Sequence, residues 1–384
     1  MAAVVRRPAP AYLLGAGLVT CAGADLAEHA PRLREGRAAA ARVPQGLGGP
    51  QAWPYCGIDG VEGQDRMHDI LARAVEPALA QAGLGADAQR RLAILVGSTC
   101  LDLPLHEAGY QAAAASGRQD IAIRGPGYGN VAGWVAERFG IEGPQYTLNT
   151  ACSSSANALL HARLLIADGR VEHALVIGVE AFNRLSLQGF GSLMLLSRTA
   201  YRPFDRNRDG LILGEGAGAI VLGRAPRAGD VRPLALRGAA SACDPSSPTN
   251  SMPERVADVM RAALDDAGVA LDGLLAVKAH GTGTASNDLS EGQGMRLLGG
   301  TLPPLTSFKP YVGHTLGACG VIESLLLAQA WSDGFLPATP GFAEADPAIG
   351  LAPVAEPHPL PPAGAVLCNF FGFGGNNTSL VLTR

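Results

Sequence analysis

Charged side chains are scarce in this chain of 384 residues, since Asp, Glu, Lys and Arg make up 17% of it and the formal net charge is -4. Adjacent basic residues occur only as pairs, such as Arg90-Arg91. Nucleic-acid binding depends on clustered basic side chains that displace counterions from phosphates, so the sequence excludes that class. Uninterrupted apolar runs are also short. None reaches the roughly 18 residues that span a bilayer, and we expect no membrane span.

Closely spaced cysteine pairs are missing as well. The seven cysteines are an odd number, and no two form a C-x-x-C pattern. This disfavours a disulfide framework and a zinc knuckle. A short apolar stretch after Arg6-Arg7 is similar to a secretory leader, but Pro8 and Pro10 interrupt it and it equally predicts a first buried strand. We therefore expect a reduced, cytoplasmic protein.

What the chain does contain is a regular alternation of short apolar runs and longer periodic segments. The 50 Gly and 27 Pro residues are scattered between them and indicate many tight turns. The predicted strands are 91–97, 173–179, 217–222, 274–279, 305–308, 365–369 and 378–382, after a first strand near 12–20. The predicted helices are 67–82, 129–139, 153–167, 254–267, 289–298 and 316–331. The alternation predicts an α/β fold.

Two segments repeat one pattern. Residues 152–169 and 319–334 each begin with Cys and small residues, continue as an apolar helix and end in Asp-Gly. The repetition suggests two related halves that meet between residues 223 and 231.

Cys152 is the best candidate nucleophile. It follows a predicted strand and precedes a predicted helix, so its thiol would lie at a helix N-terminus, where the macrodipole and free N–H groups favour a thiolate. The same N–H groups would hold the oxyanion formed when a thioester is attacked. For the other six cysteines we expect inert, mostly buried thiols.

Two of the eight histidines occupy distinctive positions. His280 ends a strand and opens a glycine-rich polar turn, and His314 immediately precedes a helix. Such positions place a side chain at a pocket. Zinc bound by Cys152 and both histidines is an alternative, ranked lower because no closely spaced ligand pair anchors it. Near the C-terminus, the irregular turn 372–375 (GFGG) offers a second oxyanion donor from its main chain.

Together these segments resemble the β-ketoacyl synthase family, the condensing enzymes of fatty-acid and polyketide synthesis within the thiolase-like superfamily. The matching segments occur in the family's order: 150–155 (TACSSS), 203–210 (PFDRNRDG), 215–218 (EGAG), 280–288 (HGTGTASND), 309–314 (KPYVGH), 317–320 (GACG) and 369–377 (NFFGFGGNN). The resemblance implies a five-layered α-β-α-β-α fold built from two duplicated βαβαβ halves. We place these halves at residues 1–228 and 229–384.

The resemblance also implies the reaction and its residues. Cys152 would take an acyl chain from an acyl carrier protein, while His280 and His314 would bind a malonyl thioester and promote its decarboxylation. Lys309 would support the second histidine electrostatically, with Glu291 or Asp288 as its own partner. The oxyanion hole would be formed by the main-chain N–H groups of Cys152 and Phe371, and Phe371 would also gate malonyl entry. Thr282 and Thr284 would hydrogen-bond the phosphopantetheine arm.

Partners follow from the same resemblance. It implies no metal and no dissociable cofactor, because the pantetheine arm arrives on the carrier protein. It also implies a homodimer or a heterodimer with a second ketosynthase-like chain. Carrier proteins are acidic, so we expect a local basic patch, with Arg202, Arg206 and Arg208 as candidates. The alternative is that these arginines form structural ion pairs with Asp205 and Asp209.

Some features depart from the family pattern. The chain is short before the nucleophile, Asn149 stands where Asp is frequent, and Phe370 adds an aromatic that either narrows the pocket or packs. Compact forms of this kind look similar to ketosynthases of bacterial aryl-polyene clusters. Two other functions stay open: a non-catalytic chain-length partner, which typically lacks the cysteine, and a degradative thiolase, for which Cys319 or Cys368 would have to act as general base.

Overall fold

The structure is a computed structural model, and it describes residues 7–45, 47, 49, 52–61, 65–118 and 127–384. Within these ranges the strands are β1 Ala11–Thr20, β2 Tyr55–Cys56, β3 Ala93–Gly97, β4 Gln145–Leu148, β5 His173–Glu180, β6 Leu213–Gly214, β7 Gly216–Gly223, β8 Ala235–Cys243, β9 Leu274–Lys278, β10 Leu305–Thr306, β11 Phe335–Leu336, β12 His358–Pro359, β13 Ala365–Gly372 and β14 Asn376–Thr383. The α-helices are α1 Leu26–Arg34, α2 Arg66–Ala82, α3 Ala86–Arg90, α4 Leu103–Ala115, α5 Asn130–Phe139, α6 Ser154–Ala167, α7 Arg184–Ser192, α8 Pro253–Ala267, α9 Ala285–Arg296, α10 Lys309–Val312 and α11 Cys319–Ser332. No helix in the described ranges is both long and apolar enough to cross a membrane.

Ten strands form the main sheet, in the order β10-β9-β13-β14-β8-β1-β7-β5-β3-β4. Its two ends have the same plan. In each, three parallel strands are followed by two antiparallel ones, namely β4, β3, β5, β7 and β1 in one half and β10, β9, β13, β14 and β8 in the other. The halves join where Ala11 and Tyr12 of β1 pair with β8. The matching order confirms the predicted duplication, while the boundary at 228/229 stays a prediction.

The halves are layered around a central pair of helices. Helices α6 and α11 contact each other, and both also contact strands of the two half-sheets. Helices α2 and α5 pack on the outer face of the first half-sheet, and α8 and α9 belong to the apolar cluster of the second. The result is the α-β-α-β-α order that the resemblance implies.

The central helices approach very closely at their N-termini. A Cβ atom on Gly320 would lie 2.2 Å from the main-chain N of Ala156, closer than any real Cβ contact. Glycine at this position therefore allows α6 and α11 to touch. The contact brings the segments that follow Cys152 and precede Cys319 into one region, which is where the polar candidates meet.

One predicted element has a different form. The run 305–308 reads as a strand, but pairing with β9 stops at Thr306. Lys309 then begins the short helix α10, with Pro310 in its first turn, where a missing N–H costs nothing. The change of direction brings the Lys309 ammonium close to His280 and His314.

A buried ion pair connects α6 to the second half of the fold. Arg163 is 1% exposed, its guanidinium lies 2.5 Å from the Asp266 carboxylate, and it also donates to the main-chain oxygens of Pro8 and Ala9. Removing one partner of such a pair leaves the other charge poorly compensated. We expect Arg163→Met to lower the free energy of unfolding by about 3 kcal/mol, measured as a lower denaturant midpoint.

Arg138→Met is the matched control, because its ion pair with Glu76 is exposed on both sides. Exposed pairs contribute less than about 1 kcal/mol. Equal stability of the two variants would contradict a structural role for Arg163.

Candidate active site

Cys152 lies on the turn between β4 and α6. The preceding residue, Ala151, has a φ of +53°, in the left-handed region that residues with side chains rarely adopt. Side-chain hydrogen bonds hold the turn, including one from Ser153 Oγ to the main-chain oxygen of Thr150 at 2.8 Å. The elbow places the thiol in a cleft between the two halves of the fold.

Burial dominates the acidity of this thiol. It raises the pKa of Cys152 to about 12, against the opposing effects of the Lys309 ammonium and of the main-chain N–H groups of Phe373 and Cys152 itself. The N–H groups favour the thiolate as predicted, but desolvation, which the sequence does not show, has the larger effect. The Cys152 side chain is therefore a neutral thiol at pH 7.

A second main-chain N–H reaches the thiol from the end of β13. It belongs to Phe373, not to Phe371. Gly372 makes this approach possible, since a Cβ there would lie 2.6 Å from the main-chain oxygen of Thr150. The expectation that Phe371 supplies the second oxyanion donor is corrected to Phe373, two residues later.

The two phenylalanines have different surroundings. Phe371 pairs with Asn377 in the β13–β14 ladder, and its ring lies 5.7 Å from the His280 ring. The Phe373 ring stacks on Phe190 at 5.6 Å, and both of these rings line the cleft. Phe371 lines the cleft as well, and its gating of malonyl entry stays a prediction.

His280 and His314 meet in the cleft beside Cys152. Their ring centroids are 5.5 Å apart and their planes are nearly perpendicular. Burial, with help from the Lys309 and Lys278 ammoniums, holds the pKa of each imidazole well below its usual value. Both rings are thus neutral at pH 7.

Lys309 contacts the first histidine directly. Its Nζ lies 3.2 Å from His280 Nδ1. An ammonium has donors only, so Nδ1 accepts and Nε2 carries the ring hydrogen. The sequence prediction was that Lys309 supports His314 electrostatically, and the Lys309 ammonium does lower the pKa of His314. The direct contact is with His280, and the effect on His314 is electrostatic.

Glu323 is the carboxylate partner of Lys309, and sequence reasoning missed it. Its Oε1 accepts from Lys309 Nζ at 2.7 Å, and its other oxygen accepts from Lys278. All three side chains are fully buried. The prediction of Glu291 or Asp288 is wrong. A signal was present in the sequence, because Glu323 is the one charged residue in the apolar helix α11.

Glu291 and Asp288 have a different task. Glu291 accepts the main-chain N–H groups of His280 and Gly281, and Asp288 accepts those of Thr282 and Gly283. The two carboxylates thereby fix the turn that follows β9. Burial raises the pKa of Glu291 to about 6.

Comparisons with known proteins agree with this site. Residues 57–228 match the family model "Beta-ketoacyl synthase, N-terminal domain" and residues 235–343 match "Beta-ketoacyl synthase, C-terminal domain". The chain belongs to the β-ketoacyl synthase family. It is therefore an acyl-transferring condensing enzyme.

The synthase is similar to individual proteins of known sequence and structure. It is 32% identical over 334 residues to 3-oxoacyl-[acyl-carrier-protein] synthase 2 of Vibrio cholerae, covering 80% of each chain. Among solved structures it is similar to the ishigamide ketosynthase/chain length factor, with a TM-score of 0.88, 27% identity and coverage of 98% and 99%. It is also similar to the ketosynthase ApeO in complex with its chain length factor ApeC from Xenorhabdus doucetiae, with a TM-score of 0.82, 28% identity and 98% coverage of each chain.

The cleft of the synthase has a polar side. Thr282 and Thr284 line it, and their hydroxyl oxygens are 2.9 Å apart. Asn250, Ser251 and Asn287 also line the cleft. These hydroxyl and amide groups give the cleft hydrogen-bond donors and acceptors, and binding of the phosphopantetheine arm by the two threonines stays a prediction.

The predicted basic patch of the synthase is partly neutralised. Arg206 pairs with Glu344 at 2.8 Å, and the nearly buried Arg208 pairs with Asp346 at 2.6 Å. Ion pairs therefore form here, but with partners other than the predicted Asp205 and Asp209. Asp205 accepts main-chain N–H groups instead, and Asp209 accepts from Thr199. Carrier-protein docking by Arg202 or Arg206 stays a prediction.

Cys319 and Cys368 lie near the site of the synthase, but neither is placed to act as a general base. Cys319 donates to the main-chain oxygen of Cys152 at 3.1 Å. Burial raises the pKa of both thiols, to about 12 for Cys368. A protonated thiol is no general base, so the contacts do not favour the thiolase alternative.

Proposed function

We propose that this synthase condenses an acyl chain bound to Cys152 with a malonyl group carried on an acyl carrier protein, with release of CO2. The assembly of Cys152, His280 and His314 in one cleft carries the proposal. A nucleophile and two neutral imidazoles are what an acyl transfer followed by a decarboxylative carbon–carbon bond formation requires.

Acyl loading is a thioester exchange. Cys152 Sγ attacks the carbonyl carbon of the acyl thioester, the carbon–sulfur bond to the pantetheine sulfur breaks, and the cysteine proton ends on the leaving thiol. The negative oxygen of the intermediate is held by the N–H groups of Cys152 and Phe373, which already lie at the sulfur.

Condensation starts with the malonyl thioester. Its carboxylate leaves as CO2, and the bonding electrons move into an enolate whose oxygen accepts from the Nε2–H of His280 and from His314. The enolate carbon then attacks the acyl-cysteine carbonyl. The new carbon–carbon bond forms as the bond to Sγ breaks, and the released thiolate takes up a proton. Neutral histidines suffice because they act as hydrogen-bond donors.

The pantetheine arm binds along Thr282 and Thr284 in this proposal, and no metal or dissociable cofactor takes part. The acyl carrier protein is the partner that delivers both substrates, in keeping with the name of the Vibrio cholerae relative. We place the reaction in the cytoplasm, and the support is that all seven cysteines are free thiols.

The second chain of the assembly is also part of the proposal. Two structural relatives are complexes of a ketosynthase with a chain length factor. In such a pair we assign this chain the ketosynthase role, because the nucleophile and both histidines are in place. An aryl-polyene or related polyketide pathway fits this pairing.

The proposal is tested by intact-mass measurement of the purified protein. We expect an acyl adduct after incubation with carrier proteins that bear short, medium or polyunsaturated chains, and a β-ketoacyl carrier protein after malonyl carrier protein is added. A protein that loads but condenses only with a sister chain supports the heterodimer. Turnover of acetyl-CoA without a malonyl donor would contradict the proposal in favour of a thiolase.

A further inference from the structure

Lysine is almost absent from this protein. Only two of its 30 Lys and Arg residues are lysines, Lys278 and Lys309. Both have no exposed surface, and both bind the same buried carboxylate, Glu323. Every basic residue outside this cluster is an arginine. The site therefore holds ammonium groups where the rest of the chain uses guanidinium groups.

Lys278 has the contacts that an ammonium requires. Its Nζ donates to Glu323 and, at 2.8 Å, to the main-chain oxygen of Asn369. The third side is covered by the Phe370 ring, whose centroid lies 3.6 Å away. A compact cation with three donor directions fits two oxygens and an aromatic face. A planar guanidinium has a different shape.

The same contacts explain the additional aromatic of the sequence. Phe370 is fully buried, and among the described residues it is not one of those that line the cleft. It packs under Lys278 and so does not narrow the pocket.

Lys278 closes a ring of hydrogen bonds around His280. On one side the ring runs from Lys278 through Glu323 and Lys309 to His280 Nδ1. On the other side it runs from Lys278 to Asn369, whose amide donates to Glu291 at 3.1 Å.

Glu291 completes the second side of this ring by accepting the main-chain N–H of His280 at 2.7 Å. The ring therefore holds both the imidazole and the backbone of His280. Removing Lys278 breaks the ring of hydrogen bonds at its contact with Asn369 on β13, the strand that leads to the main-chain N–H of Phe373.

We propose that Lys278 is a positioning residue for condensation: it shares Glu323 with Lys309 and fastens this pair to β13, which fixes the orientation of His280. The inference rests on the proposed function. Lys278 lines no part of the described cleft, so it acts through Lys309 and His280 and not on substrate.

The charge of Lys278 predicts the direction in which the pKa of His280 changes when Lys278 is removed. Its ammonium and that of Lys309 both disfavour protonation of His280, which would also place a ring N–H against Lys309 and break their contact. Without Lys278, Glu323 neutralises Lys309 alone and the positive potential at His280 falls. The pKa of His280 then rises. The other titratable groups around His280 are His314, Glu291 and Asp288 on α9, Glu323 on α11, and Cys152.

We expect Lys278→Met to load acyl chains on Cys152 as the parent protein does. Its kcat for condensation should fall about 10- to 100-fold, the loss typical of a displaced reacting group, with the KM for malonyl carrier protein unchanged. The acidic limb of its pH–rate profile should move to higher pH. Lys278→Arg should restore the limb, because it restores the charge.

Arg163→Met is the matched control, since it removes a buried basic charge elsewhere. It should lower stability and leave the limb in place. A parental kcat and limb in Lys278→Met would overturn the proposal. The proposal would also be overturned if Lys278→Met and Lys278→Arg lost kcat to the same extent and neither moved the acidic limb. That result would indicate lost packing and not lost charge.

Two further measurements keep the test decisive. If Lys278→Met does not fold, Lys278→Gln removes the same charge but keeps an N–H donor for Glu323 or the main-chain oxygen of Asn369, and an unmoved limb in that variant overturns the proposal. If the protein condenses nothing even together with a sister chain, the proposed function fails, but Lys278 is still tested by ring-proton NMR of His280 without substrate. We expect His280 to take up its proton at higher pH in Lys278→Met, and identical titrations would refute its role.

Discussion

Replacing Cys152 by alanine is expected to abolish acyl loading and to lower condensation by about 10⁴-fold or more, because no other thiol of the site can take its place. Cys319 is held against the main-chain oxygen of Cys152, and Cys368 is fully buried on β13. Intact-mass measurement after incubation with acyl carrier protein shows the loss directly. The variant should still release CO2 from malonyl carrier protein, since that step depends on the two histidines.

Cys243→Ala is the matched control. Cys243 is the exposed cysteine of the chain and the one most open to adventitious modification. It should load and condense as the parent protein does. An acyl adduct that persists in Cys152→Ala and disappears in Cys243→Ala would refute the assignment of the nucleophile.

Replacing His314 by alanine is expected to give the reciprocal result. Acyl loading should remain, because the thiol and the N–H groups of Cys152 and Phe373 are untouched. Decarboxylation of malonyl carrier protein should fall about 10²- to 10³-fold, the usual cost of one donor to a developing oxyanion. The measurement is CO2 release from malonyl carrier protein, followed separately from the mass of the acyl adduct.

His173→Ala serves as the comparison, since His173 begins β5 at the far end of the strand from the site. It should leave both steps unchanged. If His314→Ala lost loading and decarboxylation together while staying folded, the division of labour between the thiol and the histidines would be wrong.

The motifs predicted much of this site because their residues are neighbours in sequence. Cys152, His280, His314 and Lys309 each lie beside a turn or helix end that the sequence shows. Glu323 and Lys278 were missed because their contact joins residues 45 positions apart, and only the packing of α11 against β13 and its neighbours brings them together. The second oxyanion donor was assigned to Phe371, two residues before Phe373. The path of the chain there depends on the close contact between Gly372 and Thr150, which the sequence does not show.

The fold was predicted where hydrophobic periodicity is strong. Strand β8 was missed because its sequence has four alanines and a glycine, and it is a strand because β14 pairs along most of its length. Helix α7 was missed for a similar reason, since it contains two glycines and two serines and begins at the Asn183 cap. The main-chain N–H groups lower the pKa of Cys152 as the sequence predicts, but burial, which the sequence does not show, raises it more.

Because both lysines are buried, the folded protein should resist proteases that cleave after lysine. An enzyme that cuts after lysine finds no accessible peptide bond on the folded chain, since Lys278 and Lys309 are fully enclosed. Cleavage requires the strand ends around His280 to open, and its rate then follows the population of that open form. Lysine-specific digestion under native conditions thus measures how often the catalytic core itself opens, without a label and without substrate.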